Sequence, residues 1–438
     1  MIPAHRAFIN WLYFTKNLTF LSMGIFNIIT ILIILSATFA FINTKFLKLP
    51  FTIGLMIIAI GFTVVISAIG SFNHFVLDEA KLLIQSIDFE TALLDVMLSF
   101  LLFAGALHTK LDALKSQKAP IAVFATMGVV LSTFLVGTMM YYVFILFGHQ
   151  IDYIYCLLFG ALISPTDPIA VLGILKDANA PKKLEIKIVG ESLFNDGVGV
   201  VVFLVIFKIA QQGIGAVDPS AVGLLFLEEV VGGIVLGLVS GWLAFRVMKV
   251  IDHYETEVMI TLALVMRMSA LAHILHVSGP LAVVVAGIFI GNKSPKIAWS
   301  ETTHNYVEKF WELIDVLLNA VLFVLIGLEI FVITISSEYI AFGLIAILVA
   351  LLARYLALAG PISIFDKRLD FVPKTNLIMT WGGIRGGISI ALALSLEPQM
   401  ERELFLTVTY VIVVFSIIAQ GLTIGPLVKK VLGINKSE

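Results

Sequence analysis

The chain has 438 residues, 60% of them hydrophobic and only 13% charged, with a mean hydropathy of +1.05. A soluble domain carries about 25% charged residues, so this composition cannot cover a water-facing surface, and the chain reads as an all-α polytopic membrane protein. A net charge of −2 offers no footprint for nucleic acid, and a single cysteine, Cys156, excludes an intrachain disulfide.

A spanning helix needs about 20 mainly apolar residues. By that rule the sequence predicts thirteen runs, near 24–43, 51–70, 91–108, 119–147, 151–175, 187–211, 219–248, 256–276, 279–292, 310–332, 338–365, 375–396 and 404–432. The ninth, from Gly279 to Asn292, is short. Polar stretches between runs are too brief for a folded module, so residues 1–438 read as a single membrane domain with no soluble domain. His5, Arg6, Trp11, Tyr13 and Lys16 precede the first run without a small-residue cleavage site, which favours an interfacial N-terminus over a removed signal peptide. Twenty of the 28 lysines and arginines fall in polar segments after odd-numbered runs; Arg267, Arg354 and Arg385 lie inside runs. The positive-inside rule then puts the N-terminus outside and the C-terminus in the cytoplasm.

Run five contains Ser164-Pro165-Thr166-Asp167-Pro168. Each proline removes a backbone donor and pushes its predecessor out of the α region, so an unwound stretch is expected in mid-span. Freed carbonyls beside an aspartate suit a dehydrated cation, and broken helices at the midplane build ion sites in transporters. A plain proline kink is the alternative. Run six carries Gly190-Glu191-Ser192-Leu193-Phe194-Asn195-Asp196-Gly197-Val198-Gly199. Ser192 and Asp196 are four apart on one face, with Glu191 and Asn195 one step round. Gly197 and Gly199 admit a close helix neighbour. Oxygen donors without clustered Cys or His suit a hard cation such as sodium. Run twelve holds Gly382-Gly383-Ile384-Arg385-Gly386-Gly387, in which four glycines weaken the helix around a mid-span arginine. Interrupted segments in two halves, crossing the membrane in opposite directions, point to an inverted repeat.

Other charged positions read more plainly. His273 and His276 are expected at the interface. Arg267 is expected to snorkel or pair, and Arg354 to serve helix packing. Glu312, Asp315 and Glu329 are placed toward the ends of run ten, within reach of headgroup water. No phosphate-binding loop, zinc-protease motif or nucleophile–base pair is visible, so an enzyme is not expected.

Taken together, Ser164–Pro168, Gly190–Gly197, Ser278-Gly279-Pro280 through Gly287, Leu325-Ile326-Gly327-Leu328-Glu329 and the Gly382–Gly387 stretch resemble the monovalent cation–proton antiporter family, in its NhaP and animal sodium/proton exchanger branch. The resemblance implies about thirteen transmembrane helices with inverted repeats and crossed broken helices. It also implies a homodimer in a bacterial inner membrane. Core helices near 119–211 and 338–432 would move, elevator-like, against dimerisation helices near 24–108 and 219–332. The implied activity is exchange of sodium (or lithium) for protons, with no cofactor. Potassium/proton exchange is the alternative within the class, and a cation channel the alternative outside it. Residue by residue, Asp196 matches the aspartate that binds cation and proton, with Asn195 before it. Thr166, Asp167 and Ser192 match the groups that complete the cation site, and Glu191 with Arg385 a buried structural ion pair. Electrogenic relatives carry aspartate where Asn195 stands, so electroneutral one-for-one exchange is expected. Many relatives carry glutamate where this chain has Ala104, and that residue's role cannot be carried over.

Overall fold

In lipid, a backbone must close its hydrogen bonds internally, and among the described residues each predicted run contains helix. The computed structural model describes residues 25–70, 81, 89–167, 171, 173–175, 178, 180–213, 219–331, 333, 336–369 and 374–433. The predicted interfacial residues from His5 to Lys16, and Pro168, lie outside these. The helices are α1 (Phe26–Leu47), α2 (Phe51–Gly70), α3 (Phe89–Leu107), α4 (Lys118–Leu146), α5 (Tyr153–Ile163), α6 (Lys182–Gln212), α7 (Pro219–Met248), α8 (Tyr254–Leu275), α9 (Gly279–Ile297), α10 (Glu301–Leu328), α11 (Ser337–Leu369), α12 (Thr375–Trp381), α13 (Gly387–Leu394) and α14 (Arg402–Leu432).

Among the described residues, ten helices are long and apolar enough to cross a membrane, against the thirteen crossings expected. The three remaining runs miss that criterion for identifiable reasons. The fifth stops at Ile163, ahead of Pro165. The twelfth is split into α12 and α13 by Gly382–Gly386. The ninth, α9, ends in the polar stretch Asn292-Lys293-Ser294-Pro295-Lys296. Lys187, the first residue of run six, lies inside α6 and is fully buried.

The helices pack in two sets. In one, α5 lies on α4 and α6, α11 on α4, α12 and α14, and α13 on α14. In the other, α9 lies on α3, α7 and α8, while α10 lies on α1, α2, α3 and α8. The sets meet where α6 touches α7 and α9, and where α13 touches α10. One face of α7 (Leu224, Leu227, Val231, Val235, Leu238, Trp242) is exposed apolar surface, as a lipid solvent allows.

Between the two broken segments the backbone is shared. The Asp167 N–H donates to the Ile384 carbonyl at 2.7 Å, so the unwound stretch after α5 is bonded to the one between α12 and α13. Glycine makes that approach possible. A methyl group added to Gly386 would sit 2.6 Å from Asp167 Oδ2, and one added to Gly199 of α6 would collide with the Pro165 ring. The close approach expected at Gly199 is therefore made by the broken segment itself.

Candidate cation site

The unwound stretch after α5 exists because prolines leave carbonyls without donors. In a continuous helix the Ser164 carbonyl would accept from residue 168, which is a proline with no N–H. Arg385 replaces the missing donor: its Nη1 donates to the Ser164 carbonyl and, at 2.9 Å, to the Pro165 carbonyl. A guanidinium, with five donors and a fixed charge, suits freed carbonyls. Arg385 is in turn placed by α14. Its backbone N–H donates to Ser416 Oγ at 2.9 Å, Ser416 donates to Gln420 Oε1, and Gln420 Nε2 donates to the Trp381 carbonyl at 2.9 Å. Ser416–Gln420 is a π-type turn within α14, a local widening often found at functional sites.

Thr166 is the hub on the α6 side. Its N–H donates to Asn195 Oδ1 at 3.3 Å, and Asn195 Nδ2 donates to Thr166 Oγ1 at 2.8 Å. Ser192 Oγ donates to the Thr166 carbonyl and lies 3.1 Å from Thr166 Oγ1. The side chains of Ser192 and Asn195 thus clasp the broken segment to α6. Four residues after Ser192, Asp196 is only 6% exposed. With Thr166, Asp167 and Gly386, Asp196 forms the floor of a cavity of about 880 Å³, whose mouth is lined by Lys110, Lys182 and Lys309. The structure brings together all five residues predicted for the site: Thr166, Asp167, Ser192, Asn195 and Asp196. Two carboxylates on one confined floor repel each other unless a cation or a proton joins them.

The predicted ion pair requires correction. Glu191 Oε1 lies 2.6 Å from Arg354 Nη1 of α11, and both side chains are almost fully buried. Arg385 is committed to the carbonyls of the break, while Glu191 faces α11, where a second buried arginine needed a counter-charge. Arg354, read from the sequence as a packing residue, is therefore the ionic partner. Glu329, placed near headgroup water by the sequence, is buried. Asp315, placed likewise, lines the cavity. Arg267, His273 and His276 are exposed. Sequence reasoning missed Ser416 and Gln420; their four-residue spacing in an apolar run was the available signal.

The sequence profile of a family described as "Sodium/hydrogen exchanger, transmembrane" matches residues 31–430. The chain is 48% identical over 411 residues to the Na(+)/H(+) antiporter NhaP of Pseudomonas aeruginosa, covering 92% of this chain and 96% of that protein. It is 33% identical over 412 residues to the Na(+)/H(+) antiporter NhaH of Halobacillus dabanensis, covering 92% and 97%. Among solved structures, the fold is similar to that of the sodium proton antiporter MjNhaP1 from Methanocaldococcus jannaschii at pH 8, with a TM-score of 0.74 and 22% identity, covering 92% of this chain and 97% of that one.

Proposed function

The chain belongs to the sodium/hydrogen exchanger family, and we infer that it is an antiporter exchanging sodium, or lithium, for protons across the cell membrane. The observation that carries this reading is the meeting of Asp196 and Asp167 on the cavity floor, beside two unwound segments bonded to each other. Asp196 is the shared carrier. Its carboxylate binds a cation or a proton, and exchange follows from the competition between them. Asp167 adds a second negative charge, and the Thr166 hydroxyl supplies a neutral oxygen. Ser192 and Asn195 hold Thr166 in place, and Asn195 cannot titrate. With Asp196 alone carrying the exchanged charge, the loaded site has the same charge with one sodium as with one proton. The exchange is then one for one and electroneutral.

The same reading assigns thirteen crossings, the interrupted fifth and twelfth being related by an inverted repeat. The two helix sets are its moving parts: α4–α6 with α11–α14 as the ion-carrying core, and α1–α3 with α7–α10 as the scaffold and homodimer face. Movement of the core relative to the scaffold gives elevator-type alternating access. The N-terminus is assigned to the outside, so the lysine-rimmed cavity mouth faces the cytoplasm.

The experiment is proton flux in proteoliposomes driven by sodium, lithium or potassium gradients across pH. Sodium- and lithium-driven flux that ignores an imposed membrane potential supports the reading. Flux driven by potassium instead assigns the rival cation, and voltage-driven proton flux refutes the neutral cycle.

A further inference from the structure

Along α6 the residues that line the cavity recur on one stripe, with Lys182 at the mouth followed by Glu185, Val189, Leu193 and Asp196. Past Asp196, α6 no longer lines the cavity, but the stripe goes on. Gly197, Val201, Val205 and Lys208 follow Leu193 at steps of four, four, four and three residues, so they share its face. That face is dry. Val201 is fully buried and Val205 nearly so, and both pack with Leu281 of α9. Leu225, Phe226 and Val230 of α7 pack against the same cluster. The fit is close at Gly197, where an added methyl group would lie 2.7 Å from Leu281 Cδ2. At 1.5 Å per residue, the sealed stretch from Gly197 to Lys208 is about 16 Å long.

An ion pair stands at the far end of this seam. Lys208 Nζ lies 3.9 Å from Glu229 Oε1 of α7, with the lysine side chain 43% exposed and the glutamate 8%. The pair joins the two helix sets, whereas Glu191 and Arg354 lie within one of them. Glu229 is fixed to the scaffold, since its carbonyl accepts the Ser278 N–H at 3.1 Å where α9 begins. Helices α7 and α9 meet backbone to backbone: a methyl group added to Gly233 or Gly237 would collide with the Ser278 or Ala282 carbonyl. The joint between α6 and this wall is of another kind, made of apolar side-chain tips, one glycine socket and the ion pair. Such a joint parts without disturbing the backbone packing on either side of it.

We propose that the seam is the outer gate and that Lys208–Glu229 is its clasp, closed while the cavity is open at its mouth and parted when Asp196 faces the other side. The proposal rests on the antiporter reading and adds to it the residues that bar the path beyond Asp196. Sodium does not cross about 16 Å of apolar packing stripped of its water, so the seam decides which side Asp196 meets.

The test is a reversible tether. With the single native thiol removed by Cys156→Ser, a Lys208→Cys/Glu229→Cys variant is joined by a short bis-methanethiosulfonate linker, and linkage is followed by mass spectrometry. The linked protein stops sodium-driven proton flux in proteoliposomes, and reduction with dithiothreitol restores it. Sodium binding to the linked protein, measured by calorimetry, persists because the cavity mouth stays open. Exchange by the linked protein at the rate of its reduced form overturns the gate. Loss of sodium binding on linkage overturns it too, as does failure to link two cysteines that each react with a monofunctional reagent. A second measurement isolates the clasp. Glu229→Gln removes its charge at nearly constant shape, and labelling of Val205→Cys by a membrane-impermeant thiol reagent from outside then quickens about threefold. An unchanged labelling rate rejects the clasp. Absence of sodium-driven flux in the wild-type protein overturns the antiporter reading instead.

Discussion

Glu191 and Asp196 sit five residues apart on α6, both acidic and both buried, yet their surroundings assign them opposite work. Glu191 is enclosed between helices with Arg354 at 2.6 Å. Asp196 looks onto a cavity of about 880 Å³, with a second carboxylate, Asp167, on the same floor. A buried acid bonded to a fixed arginine is held in place by that partner. A buried acid facing another acid across water can accept either of two small cations. The difference is set by the partner that each acid meets across the helix, and on the proposed antiporter reading it separates holding the core together from moving charge through it.

The largest expected effect falls on transport. Asp196→Asn abolishes sodium-driven proton flux while yield and melting temperature stay near wild type; an inactive variant that is also unfolded would erase the contrast. Next comes stability. Removing one partner of a buried pair costs about 3–5 kcal/mol, so Glu191→Ala and Arg354→Ala each lower the melting temperature well below that of Asp196→Asn. Replacing both by apolar residues of similar size restores much of the loss, and a thermal-shift series measures it. If Arg354→Ala were as stable as wild type, the Glu191–Arg354 pair would not hold the core and the comparison would fail.

A third effect is on pH. Protonation removes the charge that binds sodium, so half-saturation for sodium rises as pH falls, by up to about tenfold per unit once Asp196 is mostly protonated. The smallest effect is at the support. Ser416→Ala deletes the acceptor of the Arg385 N–H and costs about 1 kcal/mol, read as a modest fall in melting temperature with exchange retained.

Much of this was legible in the sequence because membrane depth makes polar residues conspicuous. Two prolines around Thr166-Asp167 and four glycines around Arg385 announced the breaks. The four-residue spacing of Ser192 and Asp196 announced a shared face. Pairing across helices was not legible. Arg354 and Arg385 are both single charges in apolar runs, and nothing local shows which one meets Glu191. The missing N–H of Pro168 was the available hint, since it leaves the Ser164 carbonyl to be served by Arg385. Asp315 was misplaced for a related reason. Distance from a run's end tells how deep a residue lies, but not whether water follows it inward through a cavity between helices.

The central claim is that one carboxylate carries both ions, and proton release on sodium binding tests it most directly. Sodium is titrated into the purified protein by calorimetry, in buffers of different ionisation enthalpy, near the pH where half-saturation begins to rise. The account predicts release of up to about one proton per sodium bound at Asp196, and loss of that release in Asp196→Asn. Tight sodium binding to the wild type with no proton released at any pH would contradict it.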